Sequence, residues 1–228
     1  MARRWLVTLL FLGGLLAGCG GNAPAQDTGG TAMPEVAGQP TSGPLADTLA
    51  KTYIFVPDQT TASFTVDEVL LGKPNTVVGK TQEVQGSFTL DSSKPQQAMF
   101  QPFVVNAQSL VTDDNRRNGA IQRFILETGQ AANQKITFKV SSVDGLPDSV
   151  ETGTAYNVTV TGDLTIHGIA KQAVFTGQVT EVDANHIKGS FSATVQRSDY
   201  NLVIPQVPMV ADVGEQVILT LDFTAEAT

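Results

Sequence analysis

Most of the chain after Tyr53 alternates between apolar and polar positions with a period of two. Such alternation is typical of an antiparallel strand with one buried face and one face in water. Short clusters of Gly, Pro, Asn, Asp and Ser separate most of these segments, as turns do. The pattern predicts eight strands, at about residues 64–66, 84–90, 103–107, 136–140, 156–160, 164–166, 187–195 and 217–223.

One segment departs from the two-residue period. Residues 112–115 supply helix-capping side chains and acidic groups for a first turn. Ile121, Phe124 and Ile125 then recur at helical spacing. The sequence therefore predicts one short helix at about residues 113–126, inserted into an otherwise all-β domain.

Strands with one apolar face can bury it in a sandwich or in a closed barrel. Closure also removes exposed edges, and an eight-stranded barrel is either filled by side chains or holds one small ligand. We expect an antiparallel eight-stranded barrel with an apolar cavity, while a filled core fits the same pattern. The residues expected to line the barrel are Phe64, Val66, Phe88, Phe103, Val105, Phe138, Tyr156, Val158, Leu164, Ile166, Phe191, Leu219 and Leu221.

The first residues have the parts of an export signal. Two arginines, Arg3 and Arg4, precede an apolar run of about 14 residues, which is shorter than a bilayer span requires. Leu16-Ala17-Gly18-Cys19 resembles the bacterial lipobox, in which the cysteine is diacylated and becomes the N-terminus. We therefore predict a lipoprotein signal peptide at residues 1–18 and a lipid anchor on Cys19; a plain cleaved signal peptide is the alternative.

Residues 19–50 contain abundant Gly, Ala, Pro, Thr and Ser and no aromatic residue. This composition predicts a flexible tether with a root-mean-square reach of about 30 Å, followed by a folded domain at residues 51–228. Together with the leader, it predicts a protein that is exported and lipid-anchored to the cell membrane or cell envelope, facing outside the cytoplasm.

The composition limits which partners and which kinds of site we expect in this protein. The chain has 14 Lys and Arg against 22 Asp and Glu, and removing Arg3 and Arg4 with the leader changes the net charge from -8 to -10. Such an acidic chain repels phosphate backbones, so we expect no nucleic-acid partner. Its single cysteine precludes an internal disulfide, and its two histidines, His167 and His186, lack metal-ligand spacing. We expect no metal and no cofactor.

Three polar side chains need separate interpretation. His167 could form a hydrolase triad with Asp163 or Asp199, but the chain has no G-x-S-x-G motif, so we expect no enzyme. Arg116 and Arg117 begin the predicted helix, and arginine suits a phosphate or carboxylate. They could contact a lipid head group at the barrel mouth, or pair with the neighbouring acidic residues.

The order of several motifs resembles the YceI-like family of bacterial lipid-binding proteins. The resemblance covers roughly residues 53–227 and departs at Asn118, where relatives often have aspartate after the arginine. Its two most specific stretches are 109–117 and 162–171. The motifs that carry it are Ser109–Asn118, Phe124-Ile125, Lys135–Phe138, Val160–Lys171, Gly189–Phe191, Arg197–Tyr200 and Val213–Val217.

The resemblance implies a lipocalin-like barrel whose interior holds a long isoprenoid or fatty acyl chain, with no cofactor and no established catalytic residues. We accordingly expect a membrane-tethered protein that sequesters or carries such a lipid. The alternatives are a non-catalytic interaction lipoprotein of the envelope with a filled barrel, and a lipid-modifying enzyme that uses His167.

Overall fold

The computed structural model of the chain describes residues 49–228. The predicted signal peptide at 1–18, the predicted anchor Cys19 and nearly all of the predicted tether at 19–50 lie outside the described residues and stay predictions. Among the residues described, no helix is both long and apolar enough to cross a bilayer.

The described residues form one antiparallel sheet of thirteen strands. The strands are β1 (Lys51–Phe55), β2 (Thr61–Leu70), β3 (Lys73–Thr81), β4 (Val84–Gln85), β5 (Ser87–Leu90), β6 (Met99–Phe100), β7 (Phe103–Asn106), β8 (Lys135–Asp144), β9 (Ala155–Ile166), β10 (Ile169–Asp183), β11 (His186–Gln196), β12 (Val210–Ala211) and β13 (Gln216–Ala227). The prediction of an all-β fold is confirmed.

The sheet curls round on itself. Its strands follow the order β4-β7-β8-β9-β10-β11-β13-β1-β5-β6, and β2 joins β13, β3 and β12 outside this path. Only Gly86 separates β4 from β5, and only Gln101 and Pro102 separate β6 from β7. Both ends of the strand order are therefore built from neighbouring segments of the chain, which gives the sheet its barrel-like curvature.

The predicted count of eight strands is not confirmed. The segments 156–160 and 164–166 belong to one strand, β9, and the segment 84–90 is divided into β4 and β5. The strands β1, β3, β6, β10 and β12 lie outside the predicted segments. In β10 the alternation is weak because Gly177 and Glu181 occupy inward positions and Val174 is half exposed. Its continuous pairing with β9 and β11 makes it a strand nonetheless.

The predicted helix is present as α1 (Asn115–Ala120), which continues into a π-helical turn at Ile121–Ile125. Asp114 caps its start: one carboxylate oxygen accepts hydrogen bonds from the backbone N–H groups of Arg116, at 2.8 Å, and Arg117, at 2.9 Å. These bonds also lower the pKa of Asp114, the larger effect coming from the Arg117 backbone.

The apolar face predicted for this helix is wrong at one position. Ile121 is buried and Ile125 packs against the core, but Phe124 is 60% exposed. The wider π-helical turn keeps Ile121 and Ile125 on one side and directs Phe124 to solvent. Helical spacing alone could not show this, because it assumes a regular α-helix.

Two clusters of buried side chains lie inside the sheet. One contains Ala107, Leu110, Ile121, Leu126, Leu164, Ile166, Ala173 and Tyr200. The other contains Tyr53, Phe55, Val84, Phe88, Ile187 and Ala225. The interior is therefore packed as two separate groups rather than as one continuous core, and both groups contribute residues to the wall of a cavity.

Candidate ligand-binding cavity

A cavity of about 570 Å³ lies within the curled sheet. This volume falls within the range of roughly 300–1,000 Å³ typical of small-molecule sites. All thirteen residues predicted from the alternation lie on its wall: Phe64, Val66, Phe88, Phe103, Val105, Phe138, Tyr156, Val158, Leu164, Ile166, Phe191, Leu219 and Leu221. The structure brings these side chains together, and their contact with a ligand stays a prediction.

Other parts of the wall were not predicted. Ile121, Ile125 and Leu126 reach the cavity from the helical segment, and Phe175 and Val179 reach it from β10. The loop at 202–209, before β12, also contributes apolar residues, among them Leu202, Ile204, Pro205, Val207 and Met209. The helical spacing of Ile121 and Ile125 could have predicted that both face the cavity. The loop has no periodic pattern from which its contribution to the wall could be predicted.

The cavity extends along the strands. Leu70 pairs with Lys73 where β2 turns into β3, while Lys51 pairs with Leu90 at the opposite end of this part of the sheet. Both ends contribute to the wall, the first through Leu70 and Leu71 and the second through Leu90. The shape is therefore elongated, as a long chain requires.

One end of the cavity opens to solvent between an apolar side and a charged side. The residues that line the cavity and are also exposed identify this mouth, because each faces both the interior and the water. They are Leu71, Val207, Pro208 and Met209 on the apolar side, with Asp114 and Arg116 on the charged side. The mouth therefore offers contacts to an apolar chain and to a charged group.

The two predicted head-group arginines have different environments. Nη2 of Arg117 lies 3.2 Å from Oε1 of buried Glu68, and Nη1 of Arg117 also donates to Asp113. Asn75 Nδ2 donates to the same Glu68 oxygen at 2.9 Å. Arg116 is exposed at the mouth and forms no ion pair with any residue the structure describes. Of the two roles considered for these arginines, pairing with acidic residues therefore describes Arg117 but not Arg116.

Asn118 stands at the position where the sequence departs from the family pattern. Its Oδ1 accepts hydrogen bonds from the backbone N–H of Thr112, at 2.7 Å, and from the Thr112 hydroxyl, at 2.8 Å. The side chain is buried, so these bonds supply the partners that a polar group needs away from water. The neutral amide thus fixes the chain before α1 without a charge.

A second buried carboxylate, Glu181, lies on the wall toward the opposite end. The hydroxyl groups of Ser92 and Thr152 donate to its two oxygens, the latter at 3.0 Å. Burial raises the pKa of neighbouring Tyr53, and the charges of Glu181 and Asp183 raise it further. Glu181 places a hydrogen-bond acceptor on the cavity wall at the end away from the Glu68–Arg117 pair, and the β-strand alternation gave no signal for it.

His167 occupies the tight turn between β9 and β10. Its φ is 51°, and Gly168 follows with a φ of 73°. Its ring nitrogens lie 3.3 Å from the Tyr200 carbonyl oxygen and 3.4 Å from Glu127 Oε2. Its hydrogen-bond partners are thus not Asp163 or Asp199, the acids considered for a triad, and it is absent from the described cavity wall.

Within residues 49–228, no three His, Cys, Asp or Glu side chains are grouped so as to hold a metal ion. The polar groups of the interior instead form hydrogen bonds and one buried ion pair. The site that the described residues build is therefore an elongated apolar cavity with a charged side to its mouth.

An elongated cavity inside a curled antiparallel sheet is the architecture of a ligand-binding protein of the lipocalin-like class. A family model for the YceI-like domain matches residues 53–225. The chain belongs to the YceI-like family, and the resemblance drawn from its motifs is confirmed.

Solved structures of low sequence identity share the fold. A polyisoprenoid binding domain from Saccharophagus degradans, implicated in plant cell wall breakdown, superposes with a TM-score of 0.61 at 16% identity, covering 77% of this chain and 98% of that domain. BcnA from Burkholderia cenocepacia gives 0.56 at 17% identity, covering 75% and 98%. A YceI protein from Campylobacter jejuni gives 0.51 at 16% identity, covering 66% and 84%. A search of curated protein sequences finds no significant match.

Proposed function

We propose that this protein binds the long apolar chain of a lipid, an isoprenoid or a fatty acyl chain, in its cavity and thereby sequesters or carries it. The observation that carries the proposal is the elongated cavity of about 570 Å³, whose wall is almost entirely apolar. The polyisoprenoid-binding relative from Saccharophagus degradans supports the choice of ligand class. The hollow interior argues against the alternative of a filled barrel.

The energetics favour a long, flexible ligand. Burying 15–20 methylene equivalents contributes roughly 12–16 kcal/mol of transfer free energy, at about 0.8 kcal/mol each. Association and ordering cost on the order of 4–15 kcal/mol, so useful affinity requires that most of the chain be buried. Chains that differ by one methylene should therefore differ in affinity by no more than about fourfold, whereas much shorter chains should bind poorly.

Arg116 supplies the candidate contact for a polar head group. It is exposed at the mouth, and no ion pair within the described residues competes for its guanidinium group. A guanidinium group binds phosphate or carboxylate through two parallel hydrogen bonds. A lipid with its chain in the cavity and its anionic end at the mouth would meet this side chain.

The role that we propose is binding rather than catalysis. His167 contacts Glu127 and the Tyr200 carbonyl in a turn, outside the set of residues that line the cavity. The lipobox at Leu16–Cys19 supports the further proposal that two acyl chains tether the exported protein to the cell membrane or envelope. Such a tether would keep the cavity close to a source of lipid.

A titration series tests the binding proposal. Delipidated protein is titrated with saturated fatty acids of 8 to 20 carbons in competition with the fluorescent fatty acid cis-parinaric acid. Each buried methylene should raise affinity by up to about fourfold until the cavity is full, after which the affinity should level off. Failure to bind cis-parinaric acid or any of these chains, together with failure to bind an octaprenyl quinone, would contradict the proposal.

A further inference from the structure

We propose that the apolar side of the mouth docks on the surface of a lipid bilayer, so that an apolar chain passes directly between the bilayer and the cavity. This surface, the mouth rim, consists of Leu71, Val207, Pro208 and Met209. The inference rests on the proposed lipid-binding function and adds to it the surface through which the ligand enters.

The rim exposes large apolar side chains where they are continuous with the cavity. Leu71 and Met209 are each 66% exposed, although both also line the cavity. Exposed apolar surface that is joined to a binding site marks an interaction surface more strongly than scattered exposed residues do. Here one apolar surface runs from the solvent-exposed rim into the interior.

The backbone holds these side chains in place. The Leu71 N–H donates to the Met209 carbonyl oxygen at 2.8 Å, which joins the β2–β3 turn to the loop before β12. Both residues have left-handed φ values, 53° for Leu71 and 75° for Met209. This conformation favours glycine or asparagine, so a large apolar residue at both points is costly and suggests a functional constraint.

Transfer of the chain into a bilayer fits this rim better than release of the chain into water. A chain that leaves the cavity through water would expose each of its methylene groups, whereas a rim seated in the membrane interface keeps them out of water. Lys73 follows Leu71 after one residue and is exposed, and Arg116 lies together with Asp114 on the charged side of the same mouth. Both cations can face lipid phosphates while the apolar side chains enter the interface.

The chain outside the described residues is long enough for this orientation. Leu49, where the description begins, lies beside Glu181 at the end of the cavity opposite the rim. About 30 residues separate Cys19 from Leu49 and can span at most roughly 100 Å when extended. The longest strand, β10, has 15 residues and rises roughly 50 Å. An anchor on Cys19 therefore leaves the rim free to reach the same membrane.

Single-tryptophan variants test which end of the domain touches lipid. The sequence has one tryptophan, Trp5, so the full chain carrying Trp5→Phe provides a background without tryptophan. Leu71→Trp places the probe on the rim, and Met99→Trp places it at a position that is 67% exposed and lies on β6, away from the rim. Both proteins are mixed with phosphatidylcholine vesicles whose acyl chains carry bromine, which quenches tryptophan on contact.

Docking through the rim should produce a blue shift and loss of at least about half of the fluorescence at position 71, with little change at position 99. Equal quenching at the two positions, or stronger quenching at 99, would overturn it. This readout does not require the cavity to bind lipid, so it decides the docking inference even if the proposed function fails.

A transfer assay then separates docking from binding. Leu71→Ser combined with Met209→Ser should slow uptake of cis-parinaric acid from vesicles by about tenfold and slow uptake from a cyclodextrin complex by a much smaller factor. Met99→Ser should change neither rate. Equal vesicle rates for the double variant and the wild type would overturn the inference, as would an equal loss by both routes. No uptake by the wild type from either source would instead contradict the proposed function.

Discussion

Phe64 lies against the backbone of Gly79, its direct cross-strand partner in the β2–β3 pair. A Cβ atom at position 79 would overlap the Cε1 and Cζ atoms of the Phe64 ring. Because Phe64 also lines the cavity, the missing side chain of Gly79 lets this ring lie back against the sheet instead of projecting into the cavity. Glycine at this position therefore helps to keep the interior open.

Gly79→Ala should force the Phe64 ring toward the cavity. We expect a loss of roughly 1–3 kcal/mol in the free energy of unfolding, because overpacking costs about that much, and weaker binding of cis-parinaric acid. Urea unfolding and fluorescence titration measure the two effects. Gly129→Ala is the matched control, since a Cβ there meets nothing within 4 Å, and it should change stability by less than about 0.5 kcal/mol. Equal behaviour of the two variants would contradict this account of Gly79.

The adjacent arginines should separate stability from ligand recognition. Arg117→Gln removes the cation beside buried Glu68 and should lower the free energy of unfolding by about 1–3 kcal/mol. Arg116→Gln should leave stability within about 0.5 kcal/mol of wild type and weaken binding of a fatty acid more than that of the matching fatty alcohol. Denaturant unfolding and paired titrations test both statements. Equal destabilisation by the two variants would refute this division of roles.

Alkaline pH should destabilise the domain through two buried tyrosines. Burial, with a smaller contribution from Asp199, raises the pKa of Tyr200 to about 12, and the pKa of Tyr53 is also raised above 10. Because the folded state favours the neutral phenols, their contribution is fully present below pH 10 and is lost as pH rises from 10 toward 12. Each tyrosine contributes a slope of at most about 1.4 kcal/mol per pH unit.

Unfolding curves between pH 8 and pH 12 measure this dependence. The Tyr53→Phe, Tyr200→Phe double variant should lose most of the decline between pH 10 and pH 12 while matching the wild-type trend below pH 9. An unchanged decline in the double variant would assign the alkaline instability to other groups.

The lipid anchor can be tested apart from the fold. Cys19→Ala removes the thiol that the lipobox reaction acylates, so the protein should move from the membrane fraction to the soluble fraction of the native host. Fractionation with and without carbonate extraction, followed by mass analysis of the N-terminal peptide, provides the measurement. A variant that stays with the membrane as fully as wild type would remove the basis for the anchor.

Much of the cavity wall could be predicted because side chains alternate across a strand. When one residue of β9, β11 or β13 faces the interior, every second residue of that strand also faces the interior. This alternation predicts that Val158, Phe191 and Leu221 all lie on the cavity wall. The same logic failed for β10, where Gly177 and Glu181 interrupt the apolar series. β10 is a strand because its backbone pairs with β9 and β11. These pairings cannot be predicted from the local sequence.

Contacts between residues that are far apart in the sequence could not be predicted from a local pattern either. Arg117 meets Glu68, 49 positions earlier in the chain, and Ser92 meets Glu181, 89 positions later. The loop at 202–209 has no period, yet it supplies half of the mouth through Val207, Pro208 and Met209. Such features depend on how the curled sheet brings distant segments together. The motif order identified the family without showing these pairings.

The proposed function requires that the interior of the sheet holds a lipid chain. Organic extraction and mass spectrometry of protein purified from the native host measure this directly, comparing wild type with Val158→Trp, which fills the cavity, and with Val174→Trp on the outer face. Folding of each variant is checked by thermal unfolding. We predict about one long-chain lipid per molecule of wild type and of Val174→Trp, and at least about tenfold less in folded Val158→Trp. Wild-type protein without lipid, or equal lipid in all three, would contradict the account.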